Sequence, residues 1–524
     1  MNADRKVDLL IVGGGINGAG VARDAAGRGL SVALCEQGDF AGATSSASTK
    51  LIHGGLRYLE YGEFRLVAKA LAEREHVLRI APHITRPLRF VMPHVASLRP
   101  RWMIRLGLWL YDRLGGRISL PGSCAMRLDA MAAPSGLRPE LTHGFAYSDA
   151  WVDDARLVVL NLLDAQAQGA RILARTRLVE AARRDGGWAC VLEDMLTHQR
   201  MTMSAGAIVN AAGPWVAQMD EVLNPRPAGA GPQAAVKLVR GSHVVVRRLY
   251  EGEHAYILQN DDRRIVFMIP YEGDYTLIGT TDVPETSLST AAQISAEEER
   301  YLLSAVNAYL ARKIGAEDIV WRYAGVRPLF DDEAGNPSAV TRDYRLVLRD
   351  DDNAPCVSVY GGKITTYRHL AEDVLDTLAP WCSLAGRGAW TAKKALPGGE
   401  FARERRDAEL ARLFATYPRL DQHFLARLFA RHGLVAHRIL GDVQVPADLG
   451  RDFGGGLVQR EAEHFIANEW AHDANDILWR RTKCGLHMSA PQRAAFAAWM
   501  AANAAPAETS THPSNHSHAS MGIR

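Results

Sequence analysis

The 524-residue sequence has little net charge, few cysteines and no long apolar run, and each of these absences excludes a class of protein. A formal charge of +2 does not favour nucleic acid as a partner. The six cysteines include no CxxC pair, so we expect reduced, mostly buried thiols in a cytoplasmic protein. No run of about 18 apolar residues is available to span a bilayer, and we expect no signal peptide. Any membrane association must therefore be peripheral.

The end of the sequence has few apolar residues to bury. After residue 501 the chain is rich in alanine, serine, threonine and histidine, and we expect residues 506–524 to form a disordered tail. The three histidines of this tail are too loosely spaced to predict a metal site. No metal is expected.

Residues 7–36 carry the most specific pattern in the chain. An apolar run at residues 7–12 is typical of a buried strand, and helical spacing follows from about residue 17 to residue 28. Between them, Gly13, Gly15 and Gly18 have the spacing GxGxxG. The first glycine permits a tight turn, the second lets a pyrophosphate approach the backbone, and the third lets the helix pack closely on the strand. The amides at the helix start then face the pyrophosphate.

An acidic residue completes this unit. Glu36 ends the second strand, eighteen residues after Gly18, where a carboxylate accepts hydrogen bonds from an adenosine ribose. A carboxylate there favours NAD or FAD over NADP, because it would repel the 2'-phosphate of NADP. Residues 7–36 therefore predict an adenine-dinucleotide site.

The pattern along the remaining chain divides it into segments. Serine, threonine and glycine predict a loop at residues 37–50, while residues 235–345 alternate with a period of two, which is typical of antiparallel strands. Residues 356–378 give a second strand, glycine turn and helix. We predict an α/β fold with a Rossmann-like dinucleotide-binding domain, an inserted antiparallel β-sheet substrate domain and a C-terminal α-helical domain. The predicted boundaries are 1–80, 151–234 and 346–388 for the three parts of the dinucleotide-binding domain, 81–150 for a mixed region, 235–345 for the inserted sheet, 389–505 for the helical domain and 506–524 for the tail.

The inserted sheet, together with a strand that ends in small residues near 205–213, suits FAD better than NAD. In these features the chain resembles the FAD-dependent glycerol-3-phosphate dehydrogenases, within the wider group that includes D-amino-acid and sarcosine oxidases, from residue 5 to about residue 500. The motifs that carry the resemblance include GGGINGAG, ATSSASTKLIHGGLRYLE, NAAGPWV, AYILQNDDRRIVFMIPY, IGTTDV, GVRPL, TRDY and GGKITTYR.

The predicted cofactor is FAD, bound in part by the glycine turn and in part by later segments. The residues predicted to contact it are Gly13, Gly15, Ile16, Asn17, Gly18, Glu36, Thr44, Ser45, Ser48, Lys50, Ala212, Gly213, Gly362, Lys363 and Thr365.

The resemblance implies glycerol 3-phosphate as the substrate. A small phosphorylated polyol carries nearly two negative charges and offers little apolar surface, so its site needs several converging cations. By resemblance, the pocket is lined by Arg57, Tyr58, Arg327, Arg342 and Lys363.

The implied reaction removes hydride from C2 of the substrate and a proton from its C2 hydroxyl. His53 is the predicted base, because it lies four residues before Arg57 and imidazole titrates near working pH. An alternative role for His53 is to position the substrate or bind the flavin, and His243 is a second candidate for the base. Arg327 and Lys363 are predicted to act beside His53.

The GGKITTYR turn has a separate predicted role at the flavin. Gly361 and Gly362 permit a close approach of the backbone, while Lys363 and Thr365 add hydrogen-bond donors. The amides and positive dipole end of the helix that follows would stabilise negative charge as it develops on the flavin.

The electron acceptor is less directly predicted. Residues 99–117 combine five arginines and two tryptophans with apolar residues at helical spacing, which is typical of a helix lying in the bilayer interface. The alternative is an ordinary amphipathic helix packed on the core. The resemblance implies a peripheral enzyme at the inner-membrane surface that passes electrons to ubiquinone. Oligomeric state does not follow from the sequence, and a homodimer stays an open alternative.

Three other functions are alternatives for this sequence. A glycerol-3-phosphate oxidase, which returns electrons to oxygen, would share most of these motifs and differs in its hydrogen peroxide yield. An amine or amino-acid oxidase would need a carboxylate clamp in place of a phosphate site. A non-catalytic flavin-binding scaffold would have no need of a complete charged pocket.

Overall fold

The computed structural model describes residues 6–95, 100–116, 118–131, 136–225, 236–262, 264–288, 293–330, 343–384 and 386–503. Arg342 and the predicted tail at 506–524 lie outside these residues. The strands are β1 (Lys6–Val12), β2 (Val32–Cys35), β3 (Leu51–Ile52), β4 (Thr85–Pro93), β5 (Cys124–Arg127), β6 (His143–Val152), β7 (Arg171–Leu173), β8 (Thr176–Arg184), β9 (Gly187–Asp194), β10 (Arg200–Asn210), β11 (Val236–Arg247), β12 (Ala255–Gln259), β13 (Ile265–Tyr271), β14 (Tyr275–Gly279), β15 (Val283–Glu285), β16 (Ile319–Phe330), β17 (Arg345–Arg349), β18 (Cys356–Tyr360), β19 (Asp452–Gly454) and β20 (Leu457–Val458).

The helices lie between and after these strands. They are α1 (Ile16–Gly27), α2 (Phe64–Ile80), α3 (Arg101–Leu114), α4 (Asp154–Ala167), α5 (Val216–Leu223), α6 (Ala296–Asn307), α7 (Tyr367–Leu378), α8 (Arg406–Thr416), α9 (Gln422–His432), α10 (Val435–Leu440), α11 (Gln459–Asn468) and α12 (Ala490–Asn503).

The first sheet has the strand order β17-β18-β10-β1-β2-β7, with the β8–β9 hairpin joined to β10. The pairs β18–β10, β10–β1, β1–β2 and β2–β7 are parallel. Both faces of β1 are covered, since Leu9 and Ile11 pack with α1 and α7 while Val7 and Leu10 pack with Trp188 of β9. Burial on both faces explains why residues 7–12 form a continuous apolar run.

The second sheet has the order β15-β11-β14-β13-β12-β4-β6-β3, with β16 paired to β11 and β5 paired to β6. Its central part is the predicted antiparallel sheet of residues 235–345. The strands β3, β4, β5 and β6 also belong to this sheet. Of these, β4, β5 and most of β6 lie in the region predicted to be mixed, 81–150. β4 joins β12 in parallel, at Ala255 opposite Phe90, which local periodicity does not reveal because the two strands are far apart in sequence.

The C-terminal helices are held to the first sheet by buried ion pairs. Arg481, which is fully buried, donates from Nη1 and Nη2 to the two carboxylate oxygens of Asp39 at 2.7 Å each. Arg156 of α4 pairs with Glu469, and both side chains are buried. Removing one partner of a buried pair leaves an uncompensated charge, which typically costs about 3–5 kcal/mol. These pairs dock the C-terminal region on the dinucleotide-binding unit.

The helix α3 has one packed face and one exposed face. Ile104, Leu108 and Tyr111 are buried, and the Tyr111 hydroxyl donates to Asp149 and accepts from the Gly54 amide at 2.9 Å. On the other face, Trp102 is 65% exposed and Trp109 is 51% exposed. Within the described residues, no helix combines the length and the apolar character needed to cross a membrane.

Candidate functional site

A cleft of about 1010 Å³ lies at the carboxyl ends of the parallel strands, and we call it the cofactor cleft. Its wall includes Val12 at the end of β1, Glu36 after β2, Ala212 after β10 and Gly361 after β18. In sheets of this kind, ligands bind outside the carboxyl ends of the strands. The second sheet closes the other side through Phe267 and neighbours on β11 and β16.

The glycine turn between β1 and α1 forms the floor of one end. Gly13 has φ +112°, and a Cβ on it would lie 2.4 Å from the Ala211 carbonyl oxygen. A Cβ on Gly18 would lie 2.0 Å from the Gly13 carbonyl oxygen. Gly15 precedes the first residue of α1 and lines the cleft. Gly18 itself does not line the cleft and acts through the close packing of α1 on β1, as its position in the motif predicts.

Glu36 braces the glycine turn as well as lining the cleft. Its Oε2 accepts from the Gly14 amide at 2.7 Å and its Oε1 accepts from the Gly38 amide at 2.8 Å. Burial raises the pKa of this carboxyl, while the two amide hydrogen bonds oppose the rise. Each carboxylate oxygen still has a lone pair for a ribose hydroxyl.

Asn17 links the first glycine turn to the second one. Its Nδ2 donates to the Gly361 carbonyl oxygen at 3.1 Å, while its buried Oδ1 has no hydrogen-bond partner among the described residues. Gly361 and Gly362 have φ values of +76° and +102°, and a Cβ on Gly362 would lie 2.9 Å from Asn17 Nδ2. A buried acceptor without a partner is costly, so this cradle suits a polar ligand with donors of its own. The two turns fit a dinucleotide such as FAD.

The loop at residues 37–50 surrounds the start of α1. Ser45 Oγ accepts from the Ile16 amide at 2.9 Å, and Thr44 Oγ1 donates to the Val326 carbonyl oxygen at 2.6 Å. Thr44, Ser45, Ile16 and Ser48, which are predicted cofactor contacts, all line the cleft. The loop therefore ties α1 to strand β16 of the second sheet.

Lys50 is the residue of this loop that departs from its predicted place. Its ammonium is fully buried and donates to both carboxylate oxygens of Asp154, at 2.8 and 2.9 Å, and to the Ser46 carbonyl oxygen at 3.1 Å. Lys50 does not line the cleft, because the carboxylate of α4 draws the ammonium inward. Its observed contacts hold the loop in place.

The other end of the cleft brings together residues from distant segments. His53, Tyr58, Phe267, Arg327 and Lys363 all line it. The His53 ring meets the Phe267 ring edge to face, with centroids 6.5 Å apart. Lys363 Nζ lies 3.8 Å from the centre of the Tyr58 ring, and Thr365 Oγ1 accepts from the His53 amide at 3.4 Å. A histidine and two cations thus face one space.

Arg327 is held in place by a carboxylate whose role no pattern in the sequence predicts. Its Nη1 donates to Asp282 Oδ1 at 2.6 Å and its Nη2 donates to Thr280 Oγ1 at 3.3 Å. The Arg327 side chain is 30% exposed and open to the cleft. Thr280 and Asp282 belong to the IGTTDV motif and Phe267 to the RRIVFMIPY motif, so the motifs were a signal for these residues although their roles were not predicted.

Arg57 does not line the cleft. The half-buried Arg57 guanidinium rests on Tyr61, with Nη2 donating to its hydroxyl at 3.3 Å, and Arg57 does not line the cleft although its neighbour Tyr58 does. Arg342 lies outside the described residues. Of the four predicted cations, the structure therefore brings Arg327 and Lys363 together.

His243 lies behind the wall of the cleft. Its ring stacks on Tyr323 with centroids 4.7 Å apart, and its Nε2 makes a 2.9 Å hydrogen bond with Thr49 Oγ1, which lines the cleft. Burial, with the charges of Arg327 and Lys50, holds the pKa of His243 well below its usual value. His243 reaches the cleft only through Thr49, which makes it a weaker candidate for the base than His53.

Arg480 brings the C-terminal region to the cleft. It lines the cleft near the loop at 37–50, pairs with Asp39 and also pairs with Asp476. No motif or period in the sequence distinguishes this arginine from the other cations of the C-terminal helices.

Comparisons with known proteins agree with this geometry. The family model described as FAD dependent oxidoreductase matches residues 8–363. The chain is 48% identical to the aerobic glycerol-3-phosphate dehydrogenase of Escherichia coli (strain K12), covering 94% of this chain and 97% of that protein. It is 47% identical to the D-erythritol 1-phosphate dehydrogenase of Brucella abortus (strain 2308), covering 94% and 97%.

A solved structure is similar over nearly the whole fold. The glycerol-3-phosphate dehydrogenase of Bacillus halodurans, complexed with FAD, superposes with a TM-score of 0.70 at 25% identity and covers 95% of each chain. The cradle formed by the two glycine turns is the part of the cleft that suits this cofactor. The chain belongs to the FAD-dependent oxidoreductase family and, within it, to the glycerol-3-phosphate dehydrogenases, with FAD as its cofactor.

Proposed function

We propose that this protein oxidises sn-glycerol 3-phosphate to dihydroxyacetone phosphate and passes the electrons to a quinone at the membrane surface. The observation that carries the proposal is the convergence of His53, Arg327 and Lys363 at one end of the cofactor cleft. The names of the relatives support the same substrate. FAD, when bound, supplies the acceptor for the hydride that leaves C2.

The residues around this space have different roles in the proposed reaction. Arg327 and Lys363 bind the phosphate, since two cations in a partly enclosed cleft match its charge. His53 takes the proton from the C2 hydroxyl, and its edge contact with Phe267 together with the bond from its amide to Thr365 fixes its position. The 3₁₀ turn at Ile364–Thr366 leads directly into α7, and its amide end stabilises negative charge at the cofactor.

Asp282 orients the arginine that binds the phosphate. Its Oδ1 accepts a 2.6 Å hydrogen bond from Nη1 of Arg327. A substrate phosphate then meets a guanidinium that is already oriented by Asp282 and Thr280. Arg57 and Arg342 stay in the proposal as further phosphate ligands, and Arg57 would have to leave Tyr61 to reach the substrate.

Anaerobic mixing with sn-glycerol 3-phosphate tests the reaction directly. The absorbance of the oxidised flavin at about 450 nm should bleach with this substrate. It should not bleach with glycerol or with the opposite enantiomer at the same concentration. Failure to bleach with sn-glycerol 3-phosphate would overturn the proposal. A stoichiometric yield of hydrogen peroxide under air would show that oxygen, and not a quinone, is the electron acceptor.

A four-carbon polyol phosphate is the second candidate substrate. The relatives named for glycerol 3-phosphate and for D-erythritol 1-phosphate are 48% and 47% identical to this chain, so overall similarity does not choose between the two substrates. The ratio of kcat/KM for the two compounds decides. We expect glycerol 3-phosphate to be preferred, and a ratio in favour of D-erythritol 1-phosphate would reassign the enzyme.

The exposed face of α3 is the proposed contact with the membrane. Trp102, Met103, Leu106 and Trp109 are exposed beside the exposed arginines of the same helix, a pattern suited to the bilayer interface. The opposite face reaches Gly54, next to His53, through Tyr111.

Liposome cosedimentation tests this contact. Replacing Trp102 and Trp109 by serine should remove most of the binding to anionic vesicles, whereas Val320→Ser, which changes a 44% exposed apolar residue of β16, should not. Unchanged binding of the double variant would exclude α3 as the main anchor.

A further inference from the structure

A second cavity of about 220 Å³ lies between the second sheet and the C-terminal helices. We call it the basic cavity, because its wall carries five cations. The side chains that define it are His83, Arg86, Arg406, Arg427, Arg431 and Lys483. None of them lines the cofactor cleft.

The cations come from both sides of an interface. Arg86 lies on β4, whereas Arg406 lies on α8, and Arg427 and Arg431 lie on α9. Lys483 follows the π-helix Asp476–Arg481, and it is 3% exposed. Like charges that face each other across a partly buried interface repel, and the repulsion is stronger than in water.

Carboxylates pair with four of the five cations, and Nη1 of Arg431 lies 3.0 Å from Oε1 of the buried Glu461. Arg427 is the cation that has no described carboxylate partner in this cavity. Two acidic residues line it, Asp153 and Glu272. Lys483 Nζ lies 3.5 Å from Asp153 Oδ1. Burial raises the pKa of Glu272, while the charges of Lys483 and Arg431 oppose the rise. Arg86 pairs at 3.2 Å with Glu253, whose side chain is 72% exposed and therefore well screened.

Two side chains also present hydrogen-bonding atoms without partners. Among the described residues, neither ring nitrogen of His83 has a partner, although His83 is only 3% exposed. Arg427 donates from Nη1 to the Gly455 carbonyl oxygen at 3.3 Å, but its buried Nε has no partner and it makes no ion pair with a described carboxylate. Buried polar groups are rarely left unsatisfied, so these atoms point to a ligand.

We propose that the basic cavity binds a small phosphate group, either free or carried by a small phosphate ester. Several arginines in one small space are typical of sites for oxyanions, because the guanidinium fork matches their geometry. The volume accommodates a phosphate with a few further atoms and excludes a nucleotide. A bound dianion would supply a counter-charge to Arg427 and to Arg86 and Arg406, whose carboxylate partners are exposed, and so stabilise the docking of the C-terminal helices.

The cavity is also connected to the cofactor cleft by a short segment. Lys483 Nζ lies 3.5 Å from the Arg480 carbonyl oxygen, and the Arg480 side chain lines the cleft beside Asp39. The proposed ligand would therefore bind next to a segment that reaches the cofactor cleft, at a site separate from the substrate.

Titration of the holoenzyme with inorganic phosphate tests the proposal. The Arg327→Gln holoenzyme is the background, because it weakens phosphate binding in the cofactor cleft. Isothermal calorimetry should still detect one phosphate site in this background, and the melting temperature should rise by about 1–2 °C at saturation, relative to sodium chloride of equal ionic strength. If neither effect is seen, the proposal is overturned, because the residues of the basic cavity are unchanged in this background.

Variants of the cavity then locate the site. Adding Arg427→Gln to the background should weaken phosphate binding at least about tenfold, since a charge-assisted contact is lost. Adding Arg312→Gln, which removes an exposed cation elsewhere, should not. Equal phosphate affinity in these two double variants would also overturn the proposal.

Repeating the titration with glycerol 2-phosphate distinguishes the two sources of the phosphate group. Tighter binding of the ester than of inorganic phosphate, lost in the Arg427→Gln double variant, would identify a phosphate ester as the ligand. Tighter binding of inorganic phosphate would identify the free ion. Binding of neither above the ionic-strength control would refute the site.

Discussion

The two ends of the cofactor cleft are built in different ways. At one end, Gly13, Gly15, Gly18 and Glu36 come from a single stretch of thirty residues. At the other end, His53, Phe267, Arg327 and Lys363 come from four segments of the chain and from both sheets. The first end depends on close backbone contacts within one βαβ unit, and the second depends on how two sheets are placed against each other.

The largest effect is expected at the end built from one segment. Gly18→Ala would place a Cβ 2.0 Å from the Gly13 carbonyl oxygen, so α1 would have to move away from β1 and the turn would no longer hold the pyrophosphate. We expect the purified variant to contain little or no flavin, as measured by the ratio of flavin to protein absorbance. Gly107→Ala, at a helical glycine with open space around it, is the matched control. Full flavin content in Gly18→Ala would show that the close packing is not required.

At the other end, His53→Ala should lower kcat by about 100-fold or more, which is the usual cost of losing a general base. Steady-state kinetics of the holoenzyme measures the effect, and flavin content should stay normal. His198→Ala, which removes a histidine whose side chain is 73% exposed, is the control. A near-normal kcat with a raised KM would show that His53 positions the substrate and is not the base.

Arg327→Gln should act on binding more than on the chemical step. Loss of a charge-assisted contact with the phosphate should raise KM at least about tenfold. Arg322→Gln, on the same strand but paired with Glu299 away from the cleft, should leave KM unchanged. If activity toward unphosphorylated glycerol fell by the same factor as activity toward glycerol 3-phosphate, a phosphate contact would be excluded.

The smallest effect is expected at Arg57. Because its guanidinium must leave Tyr61 before it reaches the substrate, we expect Arg57→Gln to raise KM only about threefold. Tyr61→Phe removes the hydroxyl that Arg57 contacts and should not raise KM. If the KM of Arg57→Gln equals that of the unchanged enzyme, Arg57 does not contact the substrate phosphate.

These two ends also differ in how far the sequence predicts them. The strand, turn and helix at residues 7–28 were predicted to within one residue of β1 and α1, because period, glycine spacing and burial all act locally. The residues at the reacting end were found through long motifs that resemble a family. Their spacing in the sequence contains nothing that would bring His53 next to Phe267.

Asp282 and Lys50 show why the remainder could not be predicted. Asp282 is one acid among many in the sequence. It directly precedes β15, and only the pairing of β11 with both β15 and β16, in which Val239 lies opposite Pro284 and Arg327, places the arginine near it. Lys50 stands in a loop that suggests a ligand contact, yet the carboxylate of Asp154, more than one hundred residues away, takes its ammonium. Such pairings depend on register and helix placement, which a local pattern does not encode.

The sequence by itself determined the cofactor class, the parallel sheet that carries it and the family, since these rest on backbone geometry within short segments and on long motifs. Only the tertiary structure decided which described cations meet at the cleft, that β4, β5 and β6 extend the second sheet, and that the C-terminal helices dock through buried ion pairs. The physical reason is that burial of a charge is decided by the partner that folding brings to it, and that partner lies far away in the sequence.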